Sequence, residues 1–122
     1  MPWKSNVTGT LLGGVGHLHD GGTHLAFDNG GQTFCDSVAS YGTTPDYVDP
    51  PTGMDHGGGG MDHGSGGGTH ISEMTYCAPG AALKAGDVVT IKGYYDDAQH
   101  AQMTHGGKLH PVMAIGMLYY SQ

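Results

Sequence analysis

The sequence predicts an all-β domain, an antiparallel sandwich or jelly roll, and three observations predict it. Helix signals are nearly absent, because no stretch of about 11 residues keeps a glycine-free apolar period of about 3.6. Short runs of β-branched, aromatic and aliphatic residues recur along the chain instead. Clusters of Asp, Asn and Gly separate these runs at spacings that suit short antiparallel strands.

Taken in order, strands are expected near 6–12, 14–19, 23–27, 32–41, 70–77, 87–95 and 112–120. Asp20-Gly21-Gly22 and Asp28-Asn29-Gly30-Gly31 read as hairpin turns, since these residues tolerate positive φ. Ala85-Gly86-Asp87 and Asp96-Asp97 punctuate the later strands. Alternation offers Val89, Ile91 and Tyr95 as one buried face. In the last strand it offers either Val112, Ala114, Gly116 and Leu118 or the opposite set Met113, Ile115, Met117 and Tyr119. The stretch from about 43 to 69 differs: three prolines precede a seven-residue Met-Asp-His repeat set in glycine, Met54-Asp55-His56 and Met61-Asp62-His63. It reads as a low-complexity loop that cannot build a packed core.

A chain of 122 residues suits one domain, here spanning 1–122. With 24 glycines and 37% hydrophobic residues, the core must be small. Four lysines stand against 11 acidic residues, a formal net charge of −7, so nothing is present to neutralise phosphates. Nucleic acid and anionic membranes are therefore not expected partners. No apolar run approaches the roughly 20 residues of a membrane span, and no membrane insertion is expected. Cys35 and Cys77 lack zinc-site spacing and read as one disulfide closing a loop of about 42 residues; the alternative is two buried thiols. A disulfide and the sequon Asn6-Val7-Thr8 both suit secretion. No signal peptide precedes the sequon, so Met1 is read as opening a mature extracellular domain.

The unusual counts are 9 histidines and 7 methionines. The densest cluster is Gly16-His17-Leu18-His19-Asp20-Gly21-Gly22-Thr23-His24. On a strand, His17 and His19 project from one face about 7 Å apart, with Leu18 turned away. Two imidazoles so placed can grip one metal ion, and His24 lies across the turn where it could join them. The bland alternative is a pair of exposed histidines beside a turn. Met113 taken alone reads as a core residue.

Near the C-terminus stand Thr104-His105-Gly106-Gly107, then His110-Pro111-Val112-Met113, then Tyr119-Tyr120. Together with the His17/His19 pair and Gly86-Asp87, this order resembles the second, mononuclear copper domain of peptidylglycine α-hydroxylating monooxygenase and dopamine β-monooxygenase. It is also similar to short secreted fungal proteins carrying His-x-His-Asp-Gly-Gly. The resemblance implies a copper site made by His17, His19 and Met113. That donor set is chemically apt: thioether favours Cu(I), imidazole holds both Cu(I) and Cu(II), and a position stays open. Zinc would more usually recruit a further imidazole, thiolate or carboxylate.

The departures narrow the function. The family's first copper domain has no counterpart in these 122 residues. Val15 stands where the family has the arginine that clamps a peptide carboxylate, Ile115 and Met117 replace an asparagine and a tyrosine, and Ala114 replaces a cysteine. Peptide amidation is therefore not expected. The expected function is extracellular copper capture, storage or delivery, with a copper transporter or an apo-enzyme as recipient. A different class is a single-domain copper oxidase, monooxygenase or peroxygenase driven by an external reductant; a third is a structural secreted domain with incidental histidines. Met54, His56, Met61 and His63 resemble Met/His-rich tails that collect copper, and form a candidate weak loop site against the alternative of a plain linker. His70, His100, His105 and His110 stay unassigned as candidate further ligands. Neither a nucleophilic triad nor a phosphate-binding glycine loop is present.

Overall fold

A computed structural model describes residues 2–49, 61–62, 68–105 and 107–122. In chain order the strands are β1 (Pro2–Lys4), β2 (Gly9–Leu18), β3 (Gly22–Asn29), β4 (Gln32–Tyr41), β5 (Met61–Asp62) and β6 (Ile71–Met74). They continue with β7 (Ala82–Leu83), β8 (Val88–Tyr95), β9 (Thr104–His105), β10 (Lys108–Leu109) and β11 (Ala114–Ser121). One sheet has the order β1-β8-β3-β4-β6, a second β11-β2-β7, and a small third β10-β9-β5. Among the described residues every strand pairing is antiparallel. The expected all-β sandwich is what the chain forms, and among the described residues the only helical turn is the 3₁₀ segment Pro45–Tyr47.

The first two sheets face each other across Leu18, Leu25, Phe27 and Cys35, all nearly inaccessible to water. Each of the larger side chains contributes about 1.5–3 kcal/mol by leaving solvent. Leu11, Leu83 and Val89 extend this core. The sheets approach closely because two facing positions lack side chains. A Cβ on Gly16 would lie 2.8 Å from the Leu25 Cβ, and one on Gly116 would lie 2.4 Å from the Phe27 ring. Buried Ser37 adds a polar tie: its hydroxyl accepts from the Gly16 N–H at 2.9 Å and donates to the Thr75 carbonyl at 2.7 Å.

Cys35 and Cys77 form a disulfide with Cα atoms 5.5 Å apart, closing 42 residues. The chain-entropy estimate for a loop of that length is about 4 kcal/mol. It joins β4 to the segment leaving β6, which bridges Gly14 of β2 and so crosses from one sheet to the other.

Several boundaries differ from the sequence expectation. Residues 6–12 and 14–19 were expected as two strands, yet β2 runs unbroken through Gly13-Gly14 because β11 pairs along it and Cys77 bridges Gly14. The expected strand 70–77 stops at Met74, where the chain changes sheets. Asp28-Asn29-Gly30-Gly31 does close the β3–β4 hairpin, with φ of 59° at Gly30 and 85° at Gly31. Asp20-Gly21-Gly22 does not close a hairpin: β2 and β3 lie in different sheets, so the turn arches over the core. In the last strand Gly116 and Leu118 face inward, while Ile115, Met117 and Tyr119 are exposed, as is Met113 just before the strand. Val112 precedes the strand and is exposed too.

The Gly116 contact is a sharp test of the sandwich. Gly116→Ala is expected to cost about 1–3 kcal/mol through overpacking against Phe27. A lowered urea midpoint with unchanged slope checks it; an unchanged midpoint would mean that the sheets stand further apart.

Candidate metal centre

The inward packing of Leu18 turns His17 and His19 to the outer face of β2. Their rings meet edge to face with centroids 5.7 Å apart. β11 runs beside them with Ala114 opposite Leu18 and Ile115 opposite His17. Continuing that antiparallel register by one residue brings Met113 opposite His19, and directly opposed residues share a face.

Tyr95, at the end of β8, joins these two segments through one hydroxyl. It accepts from the His19 N–H at 3.2 Å and from the Met113 N–H at 3.0 Å, and donates to the Met113 carbonyl at 2.6 Å. The His19 Nδ1 lies 3.1 Å from the Pro111 carbonyl. A carbonyl only accepts, so Nδ1 carries a proton, and it is Nε2 that presents a lone pair in the neutral ring. That is the arrangement by which a carbonyl orients a metal-ligating imidazole.

The turn that follows is held as firmly. Tyr41 Oη accepts from the Gly21 N–H at 3.0 Å and donates to the Gly22 carbonyl at 2.7 Å. Burial pushes the Tyr41 phenol up to about 12, and the His100 ring lies flat on it with centroids 3.6 Å apart. Asp20, 6% exposed, accepts from the Ile71 N–H at 2.9 Å and binds His70 Nδ1. His70 Nε2 reaches the Asp49 carboxylate at 2.8 Å. Carboxylates cannot donate when ionised, so both bonds form fully only with the imidazolium. Burial alone would lower the His70 pKa; the hydrogen bonds and charges of Asp49 and Asp20 outweigh it and hold His70 above its ordinary value.

This ion cluster fastens the stem of the 43–69 stretch, where Val48 bridges Thr69 and Asp49 N–H donates to the Gly68 carbonyl at 2.8 Å. His17, His19, Asp20, His70 and Met103 line one open cleft of about 540 Å³.

The sequence-predicted residues therefore divide. His17, His19 and the Met113 backbone come together. His24 does not join them, since it stacks on Tyr94 with centroids 4.2 Å apart, on a strand of the other sheet. Met54, His56 and His63 lie outside the described residues, and for Met61 only its backbone pairing with His105 is described. Among the described residues, no three His, Cys, Asp or Glu side chains are gathered closely enough to hold a metal ion as they stand. The pair His17/His19 supplies two nitrogen donors, and any third donor must be a thioether or arrive by side-chain rotation. Sequence reasoning offered Tyr95 only for a buried face and missed Tyr41; the roles of both come from hydroxyls that cross between strands, a relation no local pattern carries.

The chain matches no protein-family model, and no curated protein or solved structure proves similar to it. The resemblance to the copper hydroxylases rests on its short motifs.

The Asp20–His70–Asp49 bridge makes stability depend on pH with a defined sign. Because His70 is raised in the folded state above the ordinary 6.5, its contribution is full below that value while the carboxylates stay ionised. It is lost as pH rises through the folded-state pKa. Urea unfolding of the native protein should lose stability over that rise, and His70→Gln should flatten the profile; an identical slope in both removes the bridge as the cause.

Proposed function

We propose that this is an extracellular copper-binding protein that holds one ion at His17 and His19, with Met113 as the soft third donor, and captures, stores or delivers it. The observation that carries the reading is the convergence of the His-x-His strand and the 110–113 segment on the Tyr95 hydroxyl. His19 has its proton placed on Nδ1 by the Pro111 carbonyl, which leaves Nε2 to bind. Met113 is 37% exposed and immediately precedes β11, so its thioether can reach an ion without leaving a hole in the core. Copper there would bind in either oxidation state, imidazoles holding both and sulfur favouring Cu(I). The surrounding acidity, a formal net charge of −7 over the chain, favours a cation and disfavours phosphate-bearing partners. The disulfide supports an oxidising compartment.

A second reading, a single-domain copper oxidase, monooxygenase or peroxygenase using an external reductant, is favoured by one observation. The histidines line a cleft of about 540 Å³, enough space for a small substrate. Catalytic consumption of ascorbate by the copper-loaded protein would select it over simple carriage. Val15 in place of the carboxylate-binding arginine speaks against a peptide substrate.

Copper titration decides the main reading. His17→Ala with His19→Ala should abolish tight Cu(II) binding and leave the fold intact, because both side chains lie outside the core. Met113→Ala should weaken Cu(I) far more than Cu(II). Unchanged stoichiometry and affinity in the double variant would refute the site, and equal losses for the two oxidation states would remove Met113 from it.

A further inference from the structure

We infer that His110 is a third imidazole ligand of this same centre, delivered by the hairpin that precedes β11; the inference rests on the His17/His19 reading. In the β9–β10 hairpin Lys108 pairs with His105 and Leu109 with Thr104. The next pair is His110 with Met103, and the His110 N–H donates to the Met103 carbonyl at 2.8 Å. Opposed residues of an antiparallel pair share a face. Met103 lines the cleft beside His17 and His19, so the register places His110 toward the same side.

The ring positions agree with this. His110 and His19 have centroids 6.0 Å apart, and His19 and His17 have theirs 5.7 Å apart. Two imidazoles sharing an ion at about 2.0 Å from each nitrogen have centroids roughly 5–6 Å apart. Both spacings fall in or at the edge of that range, with His19 in the middle. The three nitrogens do not converge as they stand, so binding would require side chains to rotate. His17 is exposed and His110 half-buried, and neither belongs to the buried core.

The segment His110-Pro111-Val112-Met113 then contributes three times to one histidine's surroundings. His110 stands beside the His19 ring, the Pro111 carbonyl fixes its tautomer, and the Met113 backbone shares its tyrosine anchor. Three nitrogens make a site that favours Cu(II) more than a two-histidine site would, and one that also accepts Zn(II).

The test adds one equivalent of Cu(II) to the full chain and counts coordinated imidazoles by pulsed electron paramagnetic resonance. Three are expected in the native protein and two in His110→Ala, with Cu(II) affinity lowered on the order of 100-fold or more, beyond the range for an outer partner. Two imidazoles in the native protein, with copper lost in the His17→Ala/His19→Ala variant, would overturn the role of His110 and leave the underlying site standing. An unchanged spectrum in that double variant would overturn both. If His110→Ala fails to fold, the count on the native protein decides alone.

Discussion

Leu18 must be inside. It packs on Leu25, Phe27 and Cys35 between two sheets that approach closely, and that contact fixes the phase of β2. A strand has a period of two, so slipping it by one residue would bury two imidazoles and expose a leucine. The glycines at 16 and 116 serve the same contact, because a side chain at either would push the sheets apart. The projection of His17 and His19 from the outer face is thus a by-product of core packing.

A strand presenting two histidines is not yet a site, and what surrounds the pair is a set of hydroxyl anchors. Tyr95 and Tyr41 each offer one oxygen that both donates and accepts. They satisfy backbone groups in the arch between β2 and β3 and at the entry to β11. Such groups are expensive to bury unpaired, so the tyrosines stabilise the arch and also fix the position of the Met113 backbone. Asp20, directly after the histidine pair, is committed to His70 and to the Ile71 N–H, a structural role that leaves it poorly suited to be a metal ligand.

The candidate centre consequently joins distant parts of the chain: residues 17–19, the hairpin 103–110 and the segment 111–113. The cleft beside it is bounded by the stem of the Met-Asp-His stretch, tied down through Asp49 and His70. Among the described residues, the β9–β10 hairpin forms its remaining ladder pairs with β5. Protection against hydrogen exchange is lowest in elements with few buried contacts, and this hairpin is one of them.

The sequence by itself determined the all-β class, the β3–β4 hairpin, the cysteine pair and the shared face of His17 and His19. Each follows from a local rule: alternation, positive φ at Gly30 and Gly31, the absence of other thiols, and a period of two. Only the tertiary structure decided that Asp20-Gly21-Gly22 is an arch between sheets, that His24 belongs with Tyr94, that His70 is a structural ion bridge and that His110 lies beside His19. Those outcomes depend on which sheet each strand joins, and a residue's partners across a sandwich are set by the packing of Leu18, Leu25 and Phe27, which no neighbouring residue in the chain encodes.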